Sequence, residues 1–140
     1  MKEAIAILKN KGLKVTEQRA NVLAKLLTQH KPLPLNELQD NLRTINRITL
    51  YRILMDLEKG DLIRIFFSLE GNKYIEAKHK KNNNAYSINN AIHLHFQCQL
   101  CDEVFCLDKI RIEGLPEGFQ LFSDKTVLAG NCNNCFLAES

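Results

Sequence analysis

Apolar residues recur every three or four positions through the first half of the chain and gather in short β-type runs in the second. Thr16 is placed to cap a helix whose apolar stripe is Ala20, Leu23, Leu26 and Leu27. The stretch HKPLP breaks it, and Pro34 suits the start of a second helix with Leu35, Leu38 and Leu42 inward. Asn46 can cap a third, with Ile53, Leu54 and Leu57 facing the core and Gly60 as the stop. LIRIFFSL and KYIEA then read as two strands joined by EGN, a hairpin with a tight turn. Three helices followed by a hairpin form the pattern of a winged helix-turn-helix.

Residues 78–91, KHKKNNNAYSINNA, are polar and aperiodic and read as a linker or hinge. Beyond it, HLHFQC, EVFCL, FQLF and TVLAG read as strands, while DKIRIEGLPEG holds a short helix or only a turn. The expectation is an α+β chain, with a winged-helix domain over 1–77, the linker over 78–91 and a small mixed domain over 92–140. A unit that small has a thin core and needs a staple such as a metal ion.

Charge sharpens this division. Residues 1–81 carry 16 Lys and Arg against 9 Asp and Glu, and residues 82–140 carry 3 against 7. All five cysteines lie in the acidic part. No apolar run approaches the roughly 20 residues that span a bilayer, and the N-terminus does not read as a secretory signal. The expected location is therefore the cytoplasm, with no membrane partner. Thiols stay reduced there, so the cysteines point to metal or redox chemistry rather than structural disulfides.

In a winged helix-turn-helix the last helix enters the major groove of DNA. Arg47, Thr49, Tyr51 and Arg52 cluster in its first turns, with groups suited to phosphates, base edges and thymine methyls. The competing reading is a three-helix globule with a solvated basic face. In the second part, Cys98-x-x-Cys101 and Cys132-x-x-Cys135 supply four thiolates for a tetrahedral Zn²⁺. The competing reading is a thiol-disulfide oxidoreductase using Cys98 and Cys101, but such a site wants one pair at a helix N-terminus. His93 and His95 share one face of a strand, and Val104 and Cys106 share one face of the next. The histidines and Cys106 form either a second divalent-metal site or a half-buried pair beside an inert core thiol.

GLKVTEQRANVL, ITLYRILMDLEKGDLI, EGNKYIE, HLHFQCQLC and GNCNNC resemble, in the same order, the ferric uptake regulator (Fur) family of metal-sensing repressors that bind DNA as dimers. The similarity runs from about Gly12 to Cys135. It implies an N-terminal winged-helix domain, a C-terminal α/β dimerisation domain and no enzymatic activity. It places Tyr51 and Arg52 on the recognition helix and Lys14 on the residue that probes the minor groove; Arg19, inside the matched stretch, is grouped with them. The expected operator is an A·T-rich palindrome. Cys98, Cys101, Cys132 and Cys135 fall on the structural zinc ligands. His30, Glu76, His93 and His95 fall on a regulatory site between the domains, with Cys106 where a carboxylate usually completes it.

The sequence departs from the family pattern in three ways. Ile92, Leu94 and Asp124 replace ligands of a further site, which is then missing. Cys106 makes the regulatory site softer and favours Zn²⁺ over Fe²⁺; an iron-loaded peroxide sensor of the same family is the alternative. The longer linker brings in His79 as a competitor of Glu76.

Overall fold

The computed structural model describes residues 1–78 and 92–135. The expected linker, Lys78 apart, lies outside them, and so does His79. The chain divides into two compact units, one made of 1–65 and 73–80, the other of 66–72 and 81–140.

In the first unit, α2 (Glu17–Leu27) starts where Thr16 accepts a hydrogen bond from the Arg19 amide at 3.1 Å. Helix α4 (Arg47–Lys59) starts in the same way, with Asn46 Oδ1 accepting from the Thr49 amide at 2.9 Å. Each cap satisfies a donor that the first helical turn leaves over. Pro34 stands just before α3 (Leu35–Asn41), and Gly60 ends α4. One helix was not anticipated. In α1 (Lys2–Asn10), Ala4 and Leu8 lie one turn apart and are fully buried. The core they join includes Leu23, Leu26, Leu38, Leu50 and Leu57, all at 1% exposure or less. Each such side chain contributes about 1.5–3 kcal/mol by leaving water.

The wing is the sheet β1 (Leu33–Pro34), β3 (Lys73–Ala77) and β2 (Ile63–Phe67), in that order. Its turn closes through Ser68 and Asn72, with Gly71 at φ +87, a conformation that favours glycine. The two-residue β1 was also not anticipated, being too short to show alternation.

The second unit is built on a sheet of order β5-β4-β6. Central β4 (Ile92–Cys98) pairs antiparallel with β5 (Val104–Ile110) and parallel with β6 (Val127–Gly130). The expected FQLF strand is not formed: residues 119–122 are irregular, and Phe119 and Phe122 are 68% and 64% exposed. Aromatic β-propensity expresses a fit to neighbouring strands, and these residues have no strand beside them in the sheet. A single 3-10 turn over Ser123–Lys125 leads into β6.

Residues 66–72 pack with the second unit although they lie within the stretch 1–77 expected as the first domain. The Phe66 ring stacks on His95 at 3.6 Å and 11°. Gln97 accepts a hydrogen bond from the Leu69 amide at 3.0 Å and donates to Glu70 at 2.7 Å.

Candidate functional site

Three groups of expected residues can be followed from their elements upward, the first of them the cysteines. Cys98 ends β4, and the chain turns through Leu100 and Cys101 to Asp102, which takes a left-handed φ of 62. In this turn the amides of Leu100 and Cys101 point at Cys98 Sγ at 3.4 and 3.5 Å. β6 runs parallel to β4 with Gly130 opposite Cys98, so the chain leaving β6 delivers the Cys132 amide to the same sulfur at 3.3 Å. A Cβ on Gly130 would lie 2.8 Å from the Phe96 ring, so any larger residue would have to displace that ring.

All four sulfurs lie within 4.8 Å of one another, with Cys101 and Cys132 3.9 Å apart. Two sulfurs on a tetrahedral Zn²⁺ at ~2.3 Å stand ~3.8 Å apart, so the set fits such an ion. The thiols are matched to a cation in charge as well. Amides from Cys101, then Cys132 and Leu100, bring the Cys98 thiol down to about 6 against the effect of burial. The Cys132 thiol, burial and the other two sulfurs push Cys135 up to about 12. For Cys101 the Glu103 amide and the Cys135 thiol work downward, but burial and the Cys98 and Cys132 thiols leave it raised. Four thiolates cannot share this space without a positive charge among them.

The second group lies on the adjacent strands. His93 and His95 alternate with Leu94 and Phe96 along β4 and share a face. His95 pairs with Cys106 across the β4–β5 ladder. His95 is fully buried, and its Nε2 lies 3.3 Å from Nε2 of His93. Two imidazole nitrogens on a tetrahedral Zn²⁺ at ~2.0–2.1 Å stand ~3.3 Å apart. The donor atoms of His93, His95 and Cys106 lie within 4.8 Å of one another, so this set also fits a divalent ion. Asp108, not singled out in the sequence, accepts a hydrogen bond from His93 Nδ1 at 2.7 Å. It lies two residues beyond Cys106 on the same strand, a spacing that could have drawn attention to it.

Of the donors expected from the first unit, His30 is exposed in the bend after α2. Glu76 is 3% exposed on β3, with the Arg64 guanidinium 3.6 Å from its carboxylate. Neither Leu94, which is fully buried, nor Ile92 brings a metal donor to β4.

The third group is the exposed face of α4. Arg47, Ile48, Tyr51 and Arg52 are exposed and, with Leu35 and Gln39 of α3, line a groove of about 340 Å³. Tyr51 is steadied by Lys73, whose Nζ sits 5.1 Å from the ring centre. Thr49, expected on this face, is half-buried, and Ile48, 67% exposed, stands beside it. Lys14 is exposed. Arg19 is engaged inside the unit: its guanidinium donates to Asp56 and to the Lys14 carbonyl, both at 2.7 Å.

No helix among the described residues is long and apolar enough to cross a membrane. No curated protein matches the chain. Among solved structures, the Helicobacter pylori ferric uptake regulator is similar at 22% identity and a TM-score of 0.62, with 95% of this chain and 89% of that one covered. A zinc uptake regulator solved with zinc and DNA is similar at 20% identity and a TM-score of 0.62, covering 99% and 93%. The Vibrio cholerae ferric uptake regulator is similar at 22% identity and a TM-score of 0.58, covering 89% and 96%. These likenesses establish the fold of helices and sheets found here. The Ferric uptake regulator family matches residues 10–121, and with most of its length matched the chain belongs to that family of metal-responsive regulators.

Proposed function

We propose that this chain is a cytoplasmic, zinc-responsive repressor that binds an A·T-rich palindromic operator as a homodimer. The observation that carries this reading is the meeting of the His93, His95 and Cys106 donor atoms within 4.8 Å of one another, with the two Nε2 atoms 3.3 Å apart. A second, exchangeable ion held there would be completed by Glu76 and His30 of the first unit, the donors that the resemblance implies. Such an ion supplies charge and fixes ligand orientation. Cys106 supports Zn²⁺ over Fe²⁺, because thiolate is a soft donor.

Coupling follows from differential affinity. An ion bound more tightly in the DNA-competent arrangement favours it, and moving from 1:99 to 99:1 requires about 5.5 kcal/mol. By linkage, DNA tightens the ion by the same factor. The four-cysteine set serves as a permanent zinc staple. The exposed Phe119, Leu121 and Phe122 support a second copy as partner of the second unit. On α4, Arg47, Tyr51 and Arg52 are the groups for DNA, and Lys14 is the minor-groove probe.

Element-resolved metal content with and without a mild chelator, paired with operator binding, tests the reading. Two zinc ions per chain, one of them lost together with DNA binding, is the expected result. One zinc with iron would point to peroxide sensing, and metal-independent DNA binding would overturn the switch. Arg52→Ala is expected to weaken operator binding by ~1–3 kcal/mol, measured by titration at fixed salt; unchanged affinity would remove Arg52 from the interface.

A further inference from the structure

Resting on the reading of His93, His95 and Cys106 as ion ligands, we propose that Asp108 is the positioning residue of that site, holding His93 in the tautomer and ring orientation that present Nε2 to the ion. A carboxylate can only accept a hydrogen bond, so the 2.7 Å contact from His93 Nδ1 places the proton on Nδ1. The lone pair is then left on Nε2, the atom 3.3 Å from Nε2 of His95. Without a partner at Nδ1, the imidazole is free to carry its proton on Nε2 or to turn about χ2, and either change takes the lone pair away from the other donors.

The strand geometry supports the assignment. The β4–β5 register pairs Leu94 with Leu107 but Ile92 with Ile110, so two residues, 108 and 109, stand opposite His93 alone. Such an extra residue commonly re-aims a side chain beside a functional site. Asp108 follows Cys106 by two residues, so one strand brings both an ion donor and the group that orients a donor of its neighbour. The two ligand histidines are fixed by different means. His95 is fully buried and clamped flat against Phe66. His93 is half-buried, meets His95 edge-on and has Asp108 as its hydrogen-bonded anchor. The carboxylate also adds a negative charge near the ion and makes the imidazole a stronger donor.

The test uses the full-length protein with zinc retained at the four cysteines. Competition with a chromophoric chelator measures affinity for the second ion, and Co²⁺ absorption reports the coordination of that site. Proton–nitrogen NMR of the imidazoles, with only the second ion withdrawn, reports the His93 tautomer. Asp108→Ala is expected to weaken the second ion about 10- to 100-fold and to shift His93 away from the pure Nδ1–H form. Asp108→Asn, which keeps an acceptor oxygen, is expected to restore the tautomer and most of the affinity. The four-cysteine zinc should stay in place in both variants. An Asp108→Ala variant that binds the second ion within about threefold of the parent, or keeps the Nδ1–H form, overturns the proposal alone. So does an Asp108→Asn variant as weak as Asp108→Ala, which would leave charge and not orientation as the cause. A parent chain that takes only one zinc overturns the reading of the site, and the proposal with it.

Discussion

The two donor sets of the second unit share a strand and differ in almost everything else. The sulfurs of Cys98, Cys101, Cys132 and Cys135 come from two turns about thirty residues apart, and the four lie within 4.8 Å of one another, a full donor set for a tetrahedral ion. His93, His95 and Cys106 come from two paired neighbouring strands and bring three donors within 4.8 Å of one another. A closed shell of four like thiolates gives an ion no position from which to exchange and ties distant parts of the chain together. Three mixed donors leave a corner for a further ligand, the arrangement from which an ion can come and go. In the function proposed above, this contrast suits the first set to an ion that belongs to the fold and the second to one that reports on the surroundings.

The largest effect that would break the contrast is expected from Cys132→Ser. It removes one corner of the closed set and the amide-to-sulfur crossing at Cys98 is left without its cation. Zinc content should fall by one ion per chain, and the cooperative unfolding of the second unit, followed by calorimetry, should be lost. Retention of both properties would show that the four sulfurs are not a structural ion site.

Next in size, His93→Ala combined with His95→Ala should abolish metal-dependent DNA binding while leaving one zinc, with a melting transition that stays cooperative but falls because the buried His95 ring is lost. Loss of all zinc would mean that the two sets are not independent. Smaller again is Cys106→Asp, which exchanges a soft donor for a hard one at an unchanged strand position. Selectivity, measured by competition between Zn²⁺ and Fe²⁺ or Mn²⁺, should move toward the harder ions with only a modest change in overall affinity.

The smallest effect serves as a control in the first unit, at residues that belong to neither set. The Lys78 ammonium beside Asp61 holds that carboxyl below its ordinary value. The folded chain therefore takes up this proton at lower pH than the unfolded chain. The pair stabilises the fold above the ordinary carboxylate range and loses its effect as pH falls through the folded value. Asp61 is largely exposed, so Asp61→Asn should cost only a few tenths of a kcal/mol at neutral pH. Denaturation at neutral and at acid pH should show that difference vanish in acid, with the metal content of parent and variant equal at each pH.

Local chemistry foretold the parts that local chemistry builds. The stripes of α2, α3 and α4, their caps at Thr16 and Asn46, and the paired cysteines all depend on residues within a turn or two of one another. Helix α1 is legible in principle from Ala4 and Leu8, one turn apart, but so short a stripe carries little signal. The parts not anticipated depend on distant partners. Asp108 looks like any solvated carboxylate until the β4–β5 register sets it against His93. Arg19 looks like a free cation until α4 brings Asp56 to it. The FQLF run has the composition of a strand but, among the described residues, no strand pairs with it, and no window on the sequence contains that information.

Strand β4 has one further consequence. Its side chains alternate, so His93 and His95 look to one side of the sheet while Cys98 lies on the other. An insertion or deletion of one amino acid between His95 and Cys98 would invert that parity and leave one ion's donors pointing away from their partners. Gene variants with altered length should therefore accumulate in the irregular stretch 111–122 and be purged from the two-residue interval between His95 and Cys98.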